Sequence, residues 1–476
     1  MPAPVHDLVI RNGTVATATD VFKADIGIKG GKIAALGLSL PPGREEIDAR
    51  GKHVLPGGID SHTHIEQLSA GGLMNADTFE SATRAAAFGG TTTVISFAAQ
   101  HKGMSLRKVV DDYSVLAARG AMIDYAFHMI VSDPTEATLA RDLPALIAEG
   151  HSSIKLFMTY DKLKVEDETL LDVLQVAREN KALVCVHAEN HGMIAWMSAR
   201  LLAAGKTAPK YHAVSHPRAS ETEAFTRLIS AAALVDQPIM IFHVSTSDGA
   251  AIVGDARRQG LKVFAETCPQ YLFLTAADLD RPGLEGAKFM CSPPPRERED
   301  QDALWHALAM GDLQTISSDH APYRHDATGK LSGGPNSTFK QIANGLPGLE
   351  TRMPLLFDAM VSKKRPEFHG RAMQSFVNLT ATQPAQIYNL AGKGSVAIGY
   401  DADLAIWDGS KRVTLTDELM VGNTGYTPFA GRTVKGWPET VLVRGKVVAT
   451  GGQVVGTAGS GRHIARSGGW AAEPAG

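Results

Sequence analysis

The chain has 476 residues, room for a large barrel and a smaller second domain rather than one simple sandwich. Lys and Arg total 47 against 50 Asp and Glu, so no excess charge points to nucleic acid or an acidic membrane surface. Three cysteines are too few for a disulfide framework, and no apolar run reaches the roughly 20 residues that span a bilayer; a cytoplasmic protein without a signal peptide is expected.

Residues 1–53 read as short alternating strands: DLVIRNGTVAT, ADIGIKGGKIAALG and EEIDARGKHV. Asn12-Gly13 and Gly30-Gly31 sit between apolar pairs and predict hairpin turns. Residues 393–455 carry the same signature, with Val441 to Val448 forming two strands joined at Arg444-Gly445-Lys446. One β-sandwich domain completed by both chain ends is expected, two separate β modules being the alternative. Residues 456–476 are rich in Gly, Ala and Ser and predict an arm or a flexible tail.

Residues 54–392 alternate strand-like and helix-like runs. The strand candidates are 54–64, 91–99, 123–131, 153–160, 183–190, 239–245, 262–268 and 315–321, most of them linked by amphipathic segments such as DETLLDVLQVARENKA. Eight β/α units predict an α/β fold, a (β/α)8 TIM barrel. A doubly wound sheet is the alternative, but no Gly-rich phosphate turn follows the first strand.

Barrel enzymes place reactive groups at the C-terminal ends of their strands. His62 and His64 end strand one, Lys155 lies in strand four, and His187, His243 and Asp319 end strands five, six and eight. Two residues apart on a strand, His62 and His64 face the same way and can share a divalent cation. Alone each histidine also fits a hydrogen-bonded core residue. Lys155 stands between Ile154 and Leu156, where a bare ammonium is expensive to bury. Either a carboxylate pairs with it, or carbon dioxide converts it to a carbamate (N6-carboxylysine) whose two oxygens can bridge two metals. Asp319 suits a metal ligand better than a helix N-cap, because Pro322 follows. His128 reads as core, Cys185 and Cys268 as small buried residues, Asp60 as a group serving its turn, and the Arg296–Asp300 run as a solvated face that starts a helix.

The segments PGGIDSHTH (56–64), GGTTTVISF (89–97), SIKLFMTY (153–160), VHAEN (186–190), AETCPQYLFLT (265–275), CSPPPR (291–296), SSDHAP (317–322), NGLPGLE (344–350) and GYDADLAIWD (399–408) run through nearly the whole chain. Together they resemble the hydantoinase/dihydropyrimidinase group of the cyclic amidohydrolases. The resemblance implies two divalent metals, zinc first with manganese or cobalt as substitutes. His62, His64 and Asp319 would hold one, His187 and His243 the other, with carboxylated Lys155 between them. It implies Tyr160 as stabiliser of the oxyanion, Ser292 and Asn344 as positions whose backbone holds the cyclic amide, Asp319 as proton carrier, and a homotetramer. The activity implied is hydrolysis of a 5,6-dihydropyrimidine or 5-substituted hydantoin to an N-carbamoyl amino acid. Allantoinase, dihydroorotase or another imidase is the sibling alternative, and a non-catalytic scaffold the remote one. Ile65 to Ala70 and Ala321-Pro322-Tyr323 depart from the group's usual loops, which leaves the ring itself open.

Overall fold

The structure, a computed structural model, describes residues 5–468. Five strands open the chain: β1 (His6–Ala16), β2 (Val21–Lys29), β3 (Lys32–Gly37), β4 (Gly43–Asp48) and β5 (His53–Pro56). Gly30 and Gly31, at φ 60° and 80°, form the tight turn between β2 and β3, whose residues Lys29 and Lys32 pair. Asn12-Gly13 makes no hairpin. It is a bulge inside β1, where pairing with β2 shifts between Ile10 and Gly13. The glycine serves close packing: a Cβ on Gly13 would lie 2.6 Å from Val54 Cγ2.

Eight strands follow: β6 (Gly58–Thr63), β7 (Thr91–Ala99), β8 (Asp124–Ile130), β9 (Ser153–Phe157), β10 (Leu183–His187), β11 (Ile239–Ile241), β12 (Val263–Thr267) and β13 (Thr315–Ile316). They pair in sequence order, each parallel to the next. The ring closes beyond β13, where the His64 N–H donates to the His320 carbonyl at 2.7 Å. Because helices cover the outside and side chains fill the inside, these strands are buried on both faces and mostly apolar. The run 54–64 is therefore two strands, not one. Residues 53–56 belong to the other sheet, and Gly57 turns the chain between them; a Cβ there would meet Thr92 Oγ1 at 2.1 Å.

The chain then returns to the first sheet with β14 (Leu404–Thr414), β15 (Thr433–Val443), β16 (Lys446–Thr450) and β17 (Gln453–Val454). Its order is β17-β16-β15-β14-β5-β1-β2-β3, with β4 alongside β1. β5 pairs with β1 from the N-terminal part and with β14 from the C-terminal part, so both ends build one sheet. Against the barrel, Phe357 stacks on Trp407 with ring centroids 4.7 Å apart. Gly436 lets it: a Cβ there would lie 2.1 Å from the Phe357 ring.

Residues 456–468 form an ordered arm along the barrel. The Ile464 and Arg466 N–H groups donate to Tyr125 and Gly150 carbonyls, and Arg466 is 1% exposed with its guanidinium on the Phe127 carbonyl. Residues 469–476 of the expected tail lie outside the described residues. Among the described residues no helix is long and apolar enough to cross a membrane.

Candidate metal centre

Strand geometry brings the polar residues to one rim. His62 lies in β6 and His64 just past its end, Lys155 is the middle residue of β9, and His187 is the last residue of β10. His243 and Asp319 follow β11 and β13 on backbone turned to φ 43° and 48°. Left-handed backbone is costly for such residues and is found where surrounding structure enforces a side-chain direction. Tyr160, at φ 71°, belongs to the same set.

The side chains converge. His62 Nε2 and His64 Nε2 lie 3.0 and 3.5 Å from the same oxygen, Asp319 Oδ1. These three residues offer ligand atoms all within 4.8 Å of one another. The His243 ring stands 5.6 Å from His62 and 4.4 Å from His187, between centroids. Tyr160 packs 5.1 Å from His187. Lys155 is 1% exposed and points its ammonium at rings: Nζ is 4.1 Å from the Phe242 centroid and 4.8 Å from that of Phe157. Among the described residues no carboxylate comes within ion-pair distance of it. Burial pushes its pKa down to about 7, so much of it is free amine near neutrality.

A cavity of about 380 Å³ opens on these groups, and Tyr160, Ser292 and Asn344 share its wall with all six. Among the described residues none hydrogen-bonds to the backbone N–H or C=O of Ser292 or Asn344, and Asn344 Oδ1 is buried without a partner. Gln67, Ser69, Ala70, Ala321 and Tyr323, from the two loops with unusual sequences, line the same cavity.

A further tier of residues, not singled out in the sequence, aims the histidines. Glu266 Oε1 accepts from His62 Nδ1 at 2.5 Å, Gln67 Oε1 lies 2.8 Å from His64 Nδ1, and Glu189 Oε2 accepts from His187 Nε2 at 2.7 Å. Each contact occupies one ring nitrogen and leaves the other for the centre, as metal-bound histidines require. Glu266 carried a usable signal: a carboxylate inside the apolar strand VFAETC is the same anomaly as Lys155. Burial opposes a charged His62, but Asp319 and Glu266 outweigh it and raise its pKa. Burial also opposes an ionised Asp319, and here His62, His64 and His243 prevail, holding it well below the usual carboxylate range.

Several other residues settle into place. His128 is core, its ring nitrogens on Ser153 Oγ and the Ser61 carbonyl at 2.7 and 2.9 Å. Asp60 accepts from the Ser318 N–H and pairs with buried Arg352, tying β6 to the segment that carries Asp319. The Arg296–Asp300 run does start a helix, Arg298–Met310, but its ends are not solvated. Arg296 is 7% exposed and donates to Ser245 Oγ and the His216 carbonyl; Asp300 is 2% exposed and binds Arg218 and the Ser247 N–H. Alternating charges concealed two buried partners.

The donor set fits divalent metals: a carboxylate shared by two imidazoles, a second histidine pair with His243 Nδ1 buried and unpartnered, and a lysine without a counter-ion. Residues 53–448 match the amidohydrolase family, and residues 2–50 match the N-terminal domain of the urease alpha-subunit. The chain is 41% identical to a D-hydantoinase of Rhizobium radiobacter over 463 residues, 97% of this chain and 99% of that one. A D-hydantoinase of Geobacillus stearothermophilus is also 41% identical, over 96% of both chains. The crystal structure of dihydropyrimidinase from Brevibacillus agri superposes with a TM-score of 0.93 at 41% identity, covering 98% of this chain and 99% of that one. The chain belongs to the amidohydrolase family, in its group of D-hydantoinases and dihydropyrimidinases.

Proposed function

We propose that the chain hydrolyses a cyclic amide, a 5,6-dihydropyrimidine or 5-substituted hydantoin, to the N-carbamoyl amino acid. The observation that carries this is the convergence of His62 and His64 on Asp319 beside a buried lysine that lacks a counter-ion. His62, His64 and Asp319 would hold one metal and His187 and His243 a second, with the carbamate of Lys155 serving both. The free amine of Lys155 adds to carbon dioxide, forming an N–C bond and releasing a proton. When bound, two divalent cations, zinc before manganese or cobalt, supply a hydroxide at neutral pH and an electrophile for the carbonyl oxygen.

The chain's own groups do the rest. The backbone of Ser292 and Asn344, with free donors and acceptors, orients the ring amide. The Tyr160 hydroxyl, whose pKa burial raises, stays protonated and donates to the carbonyl oxygen as negative charge grows there. As the carbon–oxygen bond forms, Asp319 takes the proton of the nucleophile; as the ring carbon–nitrogen bond breaks, Asp319 delivers it to the leaving nitrogen.

A cytoplasmic homotetramer belongs to the same reading, as does a division into a barrel over 54–392 and a β domain from 1–53 and 393–455. The pairing of β5 with both β1 and β14 supports that division. The test is ring opening of dihydrouracil and of 5-substituted hydantoins by zinc-loaded protein, with metal counted per subunit. Turnover with two metals is expected; a protein that takes up no metal on loading and opens none of these rings would overturn the proposal.

A further inference from the structure

The two segments whose backbone faces the cavity lie far apart in sequence, and each leaves the key residue free by tying down its neighbours. The Met290 carbonyl accepts from the Gly345 N–H at 3.0 Å and from Lys330 Nζ at 3.1 Å. The Ala343 carbonyl accepts from the same Nζ at 2.7 Å. The Cys291 carbonyl accepts from His212 Nε2 at 2.8 Å, and Ser292 Oγ lies 3.3 Å from that nitrogen. Lys330 thus touches the residue before Asn344 and the second residue before Ser292; His212 touches the residue between Lys330's contact and Ser292.

Both side chains are buried, Lys330 at 0% and His212 at 2% exposure. Among the described residues Lys330 has no carboxylate within ion-pair distance, so its burial gains no charge pairing. What it gains is two N–H bonds to two different segments. The charged amine and the free amine can each supply two, and burial shifts its pKa down to about 7. Its own backbone is anchored by the bond from Lys330 N–H to the Arg324 carbonyl at 2.8 Å. His212 donates through Nε2, and burial lowers its pKa to about 4, so the neutral ring with its proton on Nε2 makes this bond.

We infer that Lys330 and His212 are positioning residues: they clamp the 290–292 and 343–345 segments at the spacing at which the free backbone groups of Ser292 and Asn344 grip the ring amide. The inference rests on the reading of those two residues as the substrate cradle. The clamp acts on ring binding and touches no metal ligand, so its loss separates KM from kcat.

In the zinc-loaded full chain, Lys330→Met keeps length and removes both donors. The expected result on dihydrouracil is KM raised about tenfold or more, with kcat within about threefold and two metals retained. His212→Leu should behave alike, while His212→Gln, which keeps a donor at similar reach, should return KM to within about threefold of the unaltered protein. These two carry the test if Lys330→Met does not fold. A KM within about twofold of the unaltered protein in Lys330→Met or His212→Leu, whatever happens to thermal stability, overturns the clamp. An unaltered protein that opens no cyclic amide would instead overturn the substrate reading, so the two failures are told apart.

Discussion

Two buried lysines in this molecule have acids in their surroundings, and their fates differ. Near the sheet-to-barrel junction, Lys393 Nζ meets Asp403, Asp124 and Asp401 at 2.5, 2.6 and 3.0 Å. At the barrel rim, Lys155 faces aromatic rings, while the nearest acids, Asp319 and Glu266, are engaged by histidines. In the first cluster a full set of carboxylates holds the ammonium, which leaves a structural ion cluster. In the second the acids spend their charge on imidazoles, and the lysine is left as an amine able to react. Burial is common to both; the use of the neighbouring carboxylates decides between strut and reagent.

That contrast can be broken at either end. The largest effect is expected at Lys155→Ala: loss of metal and of at least about a thousandfold in turnover, partly restored by added short carboxylates, with the fold intact. Retention of two metals and full activity would show that Lys155 is no reagent. Lys393→Met should do the converse. It leaves buried Asp403 without a cation, while Asp124 keeps Arg444 and Asp401 keeps Lys32, and should lower unfolding free energy by about 3–5 kcal/mol in denaturant titrations, while the protein that remains folded keeps its metals and turnover.

Glu266→Gln tests whether the acids at the rim serve the histidines. Metal affinity is expected to fall about 10–100-fold in chelator competition, with little change in stability of the loaded protein. The smallest effect belongs to a buried acid with no basic partner in hydrogen-bond contact. Glu350 accepts from the Val421 and Gly422 N–H groups beside Asp77, and burial raises its pKa to about 8. Its folded pKa lies above its unfolded one, so folding takes up a proton between about pH 4.5 and 8, and stability falls as pH rises through that window. Thermal melts should show Glu350→Gln losing about 1 kcal/mol less than the unaltered protein between pH 6 and 7. Parallel curves would place the Glu350 carboxylate with the ordinary acids.

The barrel strands were legible because strands covered on both faces must be apolar, so Lys155 and the histidines stood out as anomalies. Glu266 is an exception to the same rule, not singled out in the sequence, and its role depends on which histidine it meets, a contact across 204 positions. Asn12-Gly13 misled because left-handed backbone serves a bulge as well as a hairpin, and only the distance to Val54 distinguishes them. Arg296 and Asp300 misled because their partners, Ser245, His216 and Arg218, come from other parts of the chain. The arm's burial of Arg466 left no trace in a Gly- and Ala-rich tail.

The sheet shared by both chain ends also sets a timetable. β5 has to wait for β14, which lies about 350 residues downstream. At about 5–20 residues per second of synthesis, the first hairpins stand exposed for roughly 20–70 seconds while the barrel is made between them. During that time β1 to β5 have only each other, and the edge of β5 that β14 will cover is open to strands of neighbouring nascent chains. The helices and strands of 58–387 can meanwhile close around their own core. The nascent protein is thus a barrel trailing an unfinished sheet, and the last strands to leave the ribosome are the ones that seal the first.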